Sequence, residues 1–336
     1  MSIRVGINGF GRIGRDFLRT VVDHGDTGIE VVAANDVMDP AAVAHLLRYD
    51  STYGTRREHV SVDEDGLHFG DTTIRYTQHR DSAELAWDAV GVDVVVECTG
   101  KFRTRDQAAA HLRAGARKVI LSAPGKGVDA TIVMVVNDAV YRPDQHHVIS
   151  NASCTTNCVA PMLLVLHRAF TVHRGLMTTI HSYTNDQNVL DGPHKDLRRA
   201  RSAAVNMIPT TTGAAKAVGD VLPELAGKLD GVAVRVPIED GSLTDLTVEL
   251  GYAATPAEIN AAFAEAAQGD LKGILRYSDE PLVSRDIIGD PASCVFDAGL
   301  TRTRDTTAKV FGWYDNEWGY ATRLADLVQL VGGDLS

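Results

Sequence analysis

Two residues in this chain have the clearest capacity for chemistry, Cys154 and His181. Cys154 lies in the run Ser153-Cys154-Thr155-Thr156-Asn157-Cys158, which reads as the start of a helix. In a first helical turn the dipole and the free N–H groups favour an anion, so the position predicts a thiol that ionises more easily than usual. A thiolate nucleophile needs a general base within reach. Of the twelve histidines, His181 is set apart because it closes an apolar strand, MTTIHSYT, and is followed by a polar loop. A lone strand histidine is more often structural, and the residues alone leave that alternative open. Cys158, one turn deeper, reads as a small buried residue, as do Cys98 and Cys294 in their apolar runs. No second Cys/His pair completes a tetrahedral set, so no metal is expected.

A second set of residues could hold a cofactor. Gly9-Phe10-Gly11-Arg12-Ile13-Gly14 has the GxGxxG spacing, follows a strand and opens a helix. Glycines there permit a tight turn and close approach to a pyrophosphate, which the helix N-terminus then receives. Asp36 stands at the end of the second strand, where a carboxylate accepts from an adenosine ribose and repels a ribose phosphate; this favours NAD over NADP. Thr99, Gly100 and Ser122 fall at strand ends, where such sheets bind cofactor. The bland alternatives are a glycine turn with no ligand and, for Arg12, a solvated charge on a helix face.

These groups need rigid elements behind them. The Val/Ile runs at 3–8, 29–36, 92–100, 116–124 and 130–137 predict parallel strands covered on both faces. Helical patterns at 39–50 and 104–116 alternate with them, which implies a Rossmann-type doubly wound α/β sheet. Residues 56–76 are more polar and read as an antiparallel excursion. Beyond about residue 150 the strands at 174–184, 231–240, 243–252 and 307–315 stand beside helices at 155–170, 210–226 and 256–269. This predicts a second, α+β catalytic domain with a mainly antiparallel or mixed sheet. The expected division is 1–150 for NAD binding, 151–315 for catalysis and 316–336 as a C-terminal helix, with Tyr320, Leu324, Leu327 and Val328 near one face. The 182–208 region has many charges and few apolar anchors, so it is expected to need packing from another subunit or domain.

Composition narrows the class. The 336 residues exceed the usual size of one core. With 44% hydrophobic and 23% charged residues, the balance is that of a globular protein. A net charge of −11 repels nucleic acid and acidic lipid, so neither is an expected partner. No apolar run has the length of a membrane span, and MSIRVGINGF does not read as a secretory signal. Four scattered cysteines suit a reducing cytoplasm better than a disulfide framework.

Across nearly its whole length the chain resembles the glyceraldehyde-3-phosphate dehydrogenases. The runs that carry the resemblance are INGFGRIGR (7–15), SNASCTTNC (150–158), HSYTND (181–186), PHKDLRRAR (193–201), TTGAAKAVG (211–219), AVRVP (233–237) and WYDNEWGY (313–320). The resemblance implies a homotetramer that oxidises glyceraldehyde 3-phosphate with NAD and inorganic phosphate, through a thiohemiacetal and then a thioester on Cys154, with His181 as the base. It implies that Thr184, Asp186 and Arg235 surround the substrate phosphate, and that Ser153, Thr155, Thr212 and Gly213 surround the attacking phosphate. Asn316 resembles the residue that holds the nicotinamide carboxamide, with Tyr320 beside it. Without the resemblance, the threonines read as helix caps and Arg235 as a strand-edge ion pair.

Several positions depart from the family pattern: Val37 and Gly192 where leucine is frequent, Val135 where many members have glycine, Lys101 after the strand-end glycine, and an unusually acidic Ile238-Glu239-Asp240-Gly241. They motivate the idea of an inhibitor-insensitive isozyme. The nearest alternative function is erythrose-4-phosphate dehydrogenase. The intact ND, YTND and TGAAK elements favour the triose.

Overall fold

Strands rich in Val and Ile have no polar face to give to water, so they become the buried middle of a layered unit. The computed structural model describes residues 2–25 and 27–335. The chain divides into two compact units. One comprises Met1–Ile132, Asp138–Ala152 and Ala321–Ser336; the other comprises Val133–Asn137 and Ser153–Tyr320.

Among the described residues of the first unit, nine strands form one sheet. Its order is Ala130–Thr131, Val148–Ser150, Lys118–Leu121, Val94–Glu97, Ile3–Asn8, Ile29–Asn35, Thr72–Thr77, Leu67–Phe69 and Val60–Val62. The strands from Ala130–Thr131 through Thr72–Thr77 pair in parallel, and the last two are antiparallel. Strand order reverses between Ile3–Asn8 and Val94–Glu97, so a crevice opens at their carboxyl ends, the usual ligand position in such sheets. The helix Arg12–Asp23 buries Phe17, Leu18 and Val21, the face that the sequence pattern predicts. Leu324, Leu327 and Val328 of the last helix, Trp318–Gly333, are fully buried.

Two expectations need correction here. The excursion at 56–76 is only partly separate, because Thr72–Thr77 also extends the parallel sheet beside Ile29–Asn35. The strand expected over 130–137 stops at Thr131. At Val135 the backbone turns into the left-handed region (φ 65°), which no strand can contain.

The second unit is built on a mixed sheet. In order, its strands are Ile208–Thr211, Leu229–Val236, Val172–Ser182, Ser242–Leu250, Thr307–Tyr314, Cys294–Asp297 and Leu275–Ser278, with Arg302–Arg304 paired to the side of Thr307–Tyr314. Val172–Ser182 and Leu229–Val236 run parallel, and their register sets His181 opposite Arg235. The helix Cys154–Phe170 is buried along most of its length, with Met162, Leu163 and Leu166 inaccessible to solvent. The short strands at 208–211, 275–278 and 294–297 were not legible as elements, since four residues carry too little periodicity. The 182–208 region carries more apolar surface than its charges suggested: Val189, Leu190, Leu197, Val205 and Met207 are all more than 70% exposed.

Candidate active site

In the first unit the glycine-rich turn has steric reasons for two of its three glycines. Gly9 has φ 91°, and a Cβ there would lie 2.6 Å from the Thr99 nitrogen. A Cβ on Gly14 would lie 2.3 Å from the Gly9 carbonyl oxygen, so only glycine lets the helix sit this close to the strand. Gly11 caps the helix with no side-chain bond, and a Cβ there would meet nothing within 4 Å. The helix N-terminus is therefore open to an anion. Ile13 follows in the first turn, half-buried. Arg12 behaves differently from both of its readings: its Nη1 lies 2.6 Å from Asp50 Oδ2, so it is a half-buried ion pair rather than a free anion clamp or a solvated charge.

Asp36 follows the strand Ile29–Asn35. Its Oδ2 accepts from the Phe10 N–H at 2.6 Å and its Oδ1 from the Met38 N–H at 3.0 Å, which orients the carboxylate at an open cleft lined by Gly9, Gly11, Asp36, Val37, Thr99 and Phe102. The opposite wall depends on a buried network that sequence reading did not reveal. Glu97 accepts from Asn8 Nδ2 at 2.6 Å, the Thr99 N–H at 2.7 Å and His111 Nε2 at 3.0 Å. Trp87 Nε1 donates to His111 Nδ1 at 3.2 Å, so His111 presents Nε2–H to the carboxylate. Gly100, at φ 67°, and Ser122, whose N–H donates to the Glu97 carbonyl at 3.0 Å, complete the strand ends. An uncapped helix start, an approach surface without Cβ atoms and a carboxylate at the second strand end together fit a dinucleotide.

In the second unit, Cys154 is the first residue of its helix, and Ser153 is the N-cap, accepting from the Thr156 N–H at 3.1 Å. Immediately before, Ala152 holds φ 55°, a costly conformation for a residue with a Cβ. Cys154 Sγ lies 3.5 Å from His181 Nε2. On the other side of the ring, His181 Nδ1 is 2.8 Å from the Ser182 carbonyl, which can only accept. Arg235 Nη1 reaches the same carbonyl at 3.0 Å and stands 2.8 Å from Nδ1. The carbonyl calls for a proton on Nδ1 and the guanidinium, which can only donate, opposes it; with the carbonyl as the Nδ1 partner, the Nε2 lone pair faces the thiol.

Burial, with help from the positive Arg235, pushes His181 down to about 3. Burial also pushes the Cys154 thiol up to about 11, against the attraction of Arg235. This corrects the sequence expectation of an easily ionised thiol: the helix N-terminus acts as predicted in sign, but desolvation outweighs it. The resting pair is a thiol beside a neutral imidazole, with Nε2 3.5 Å from Sγ.

The phosphate candidates separate into two kinds. Arg235 is beside the reacting pair. Asp186 instead pairs through Oδ2 with Arg199 Nη1 at 2.6 Å, and Arg199 Nε donates to Thr210 Oγ1 at 2.9 Å. Arg199, within electrostatic reach of His181 and Arg235, is the cation that sequence reading left inside the PHKDLRRAR run without a role of its own. Two arginines near one histidine, 36 residues apart, give no local signal. Thr155 Oγ1 is 2.9 Å from the buried Tyr314 hydroxyl, and Thr212 Oγ1 accepts from the Ala214 N–H at 3.2 Å. Gly213 caps the helix Ala214–Val221 with open space where a Cβ would stand. Thr184 donates its N–H to Gln187 Oε1 at 3.3 Å. Asn316 is buried, and its Oδ1 accepts from Ser182 Oγ at 2.8 Å and Ser242 Oγ at 2.6 Å; Tyr320 is buried as well.

Comparison with known proteins agrees with this geometry. The family model described as glyceraldehyde 3-phosphate dehydrogenase, NAD binding domain, matches residues 3–105, and that of the C-terminal domain matches residues 153–316. The protein named glyceraldehyde-3-phosphate dehydrogenase in Streptomyces coelicolor is 56% identical over 337 residues, and that in Mycolicibacterium smegmatis is 57% identical over 341 residues. A third, from Mycobacterium avium, is 57% identical over 340 residues; in all three the match covers 100% of both chains. By these matches over its full length, the chain belongs to the glyceraldehyde-3-phosphate dehydrogenase family.

Proposed function

We propose that this chain is an NAD-dependent dehydrogenase that converts glyceraldehyde 3-phosphate and inorganic phosphate to 1,3-bisphosphoglycerate. The observation that carries the reading is the Cys154 thiol in contact with His181 at the head of a buried helix, beside Arg235. As Cys154 Sγ attacks the aldehyde carbon, its proton passes through His181 Nε2 to the carbonyl oxygen, and the Cys154 N–H at the helix start meets the charge that develops on that oxygen. As the resulting thiohemiacetal loses hydride, His181 Nε2 takes the hydroxyl proton and a thioester remains on Cys154. Bound NAD supplies the hydride acceptor. Phosphate then attacks the thioester carbon, and His181 returns its proton to the leaving sulfur.

Burial makes this concerted proton transfer necessary, because neither a free thiolate nor an imidazolium is favoured at rest. Arg235, with Thr184, receives the substrate phosphate; Asp186 contributes by aiming Arg199. Ser153, Thr155, Thr212 and Gly213 surround the attacking phosphate. Gly9, Gly11, Arg12, Ile13 and Gly14 take the pyrophosphate through backbone N–H groups, Asp36 takes the adenosine ribose, and Thr99, Gly100 and Ser122 flank it. Asn316, its Oδ1 held by two serines, offers Nδ2 to the nicotinamide carboxamide, with Tyr320 beside it. On this reading 1–150 serve NAD, 151–315 the chemistry, and 316–336 form the closing helix.

A homotetramer is the proposed assembly. The support is the exposed apolar set Leu176, Val189, Leu190, Leu197, Val205 and Met207, which a lone chain would leave in water. A mass in solution near four times 36.1 kDa is expected, and a monomer would overturn it. A reducing cytoplasm is the proposed location, since Cys154 must stay a thiol. No helix among the described residues is long and apolar enough to cross a membrane.

NADH absorbance tests the reaction. Turnover with the triose and NAD should require phosphate, exceed that with erythrose 4-phosphate or NADP, and vanish in Cys154→Ser. Preference for erythrose 4-phosphate would replace the substrate; phosphate-independent turnover would remove the thioester step.

A further inference from the structure

The acidic departure at 238–241 has no part in the reaction described so far. Asp240 is 2% exposed, and it faces another buried acid, Asp315, at 1%. The two carboxyl groups hydrogen-bond to each other, which requires a proton between them. Asp315 faces more backbone donors than Asp240 does. Its oxygens accept from the backbone N–H of Gly289 at 2.7 Å, Glu317 at 2.9 Å and Trp318 at 2.7 Å. The shared proton therefore belongs to Asp240, whose Oδ1 accepts from the Gly241 N–H at 2.8 Å and the Asn316 N–H at 3.3 Å. Asn316 is thus held twice: by Asp240 at its backbone, and by Ser182 and Ser242 at its side-chain oxygen.

We propose that Asp240 is a positioning residue for hydride transfer: protonated and hydrogen-bonded to Asp315, it seats Asn316 for the nicotinamide carboxamide, and the seat is lost when that proton leaves. The inference rests on the assignment of Asn316 to the carboxamide.

The charged and titratable surroundings support it. Asp240 is faced by Asp315 and Glu317 from the chain before the last helix, and by Cys154 from the buried helix. The nearby cation Arg285 is engaged by Glu239 at 2.5 Å, on the exposed side of the turn. Burial first, then the negative charges of Asp315 and Glu317, push Asp240 up to about 9. Above that point two carboxylates would confront each other in a dry site, and repulsion would separate them. The catalytic pair does not titrate there, since Cys154 lies near 11 and His181 near 3.

The test is the rate of first NADH formation after rapid mixing, followed from near-neutral to alkaline pH for the unaltered protein, Asp240→Asn and Asn316→Ala. Asparagine keeps the Oδ1 acceptor and donates an N–H to Asp315, so it mimics the protonated acid at every pH. The unaltered protein is expected to lose rate about tenfold per pH unit above an apparent pKa near 9. Asp240→Asn, normalised to its own plateau, should lack that limb. The same limb in both proteins would overturn the proposal. An Asn316→Ala protein with unchanged NAD KM and rate would instead overturn the carboxamide assignment, whatever Asp240→Asn does. Infrared spectroscopy of the unaltered protein needs no variant to fold: a protonated-carboxyl band near neutral pH that disappears around pH 9 is expected, and its absence would overturn the proposal.

Discussion

The two units of this chain build their sites from different materials. In the first, the groups around the cleft are mostly backbone: the turn at Gly9, the uncapped helix behind Gly11, and Asp36 fixed by two N–H groups within a few residues of the glycines or of itself. In the second, the candidate groups are side chains brought from four separate segments: Cys154 on a helix, His181 and Arg235 on neighbouring strands, and Arg199 on an irregular loop. A backbone site is specified by local steric rules, so it announces itself in a short motif. A side-chain site is specified by sheet register, which a motif cannot encode. The cost of error differs accordingly: the first site fails by clash, the second by misplaced protons.

The largest expected effect tests the proton half of that contrast. Replacing His181 with Asn should slow acylation about 10²–10⁴-fold, the usual worth of a positioned base. The variant should also acquire a rate that rises about tenfold per pH unit from neutral pH to about 9, where loss of the Asp240 proton sets in, because ionisation of the buried thiol, near 11, then has to precede attack. A pH-independent variant would show that the thiol does not depend on His181.

Next comes the clash. Gly14→Ala places a methyl group 2.3 Å from the Gly9 carbonyl oxygen and 3.2 Å from Ile7 Cγ2. A loss of about 2–3 kcal/mol in stability is expected, and weaker NAD binding with it, measured by denaturation and by fluorescence titration. An alanine variant of unaltered stability would mean that the helix and strand are not locked together as described.

Asp36→Asn is smaller, because it keeps one of the two oxygens that accept from the Phe10 and Met38 N–H groups and loses only the other bond. It should raise the NAD KM about tenfold, near 1.4 kcal/mol, and narrow the preference over NADP by removing the repelling charge. An unchanged NAD/NADP ratio would take the discrimination away from Asp36.

Val135→Gly sits at the bottom of the scale. A β-branched residue at φ 65° costs about 1–2 kcal/mol, and glycine gives back about 0.5–1 through its looser unfolded state. The expected net gain is under about 1 kcal/mol, a rise of a degree or two in melting temperature. A fall would show that the valine side chain does more than the strain costs.

The sequence by itself determined the doubly wound sheet and the glycine turn, and it singled out Asp36 and Cys154 as the candidates for ribose and nucleophile, because each lies in an uninterrupted run whose pattern has one good physical solution. It also marked residues 135 and 238–241 as unusual without showing why. Only the tertiary structure decided the rest. The Glu97–His111–Trp87 network behind Thr99, the pairing of His181 with Arg235, the diversion of Asp186 to Arg199 and the meeting of Asp240 with Asp315 all join residues far apart in the chain. Tertiary structure also reversed one prediction that was correct locally: the helix start attracts a thiolate at Cys154, but the protein around it removes the water that an anion needs. The helix dipole acts over one turn and can be read from a short sequence, whereas desolvation is contributed by every segment that packs against the site.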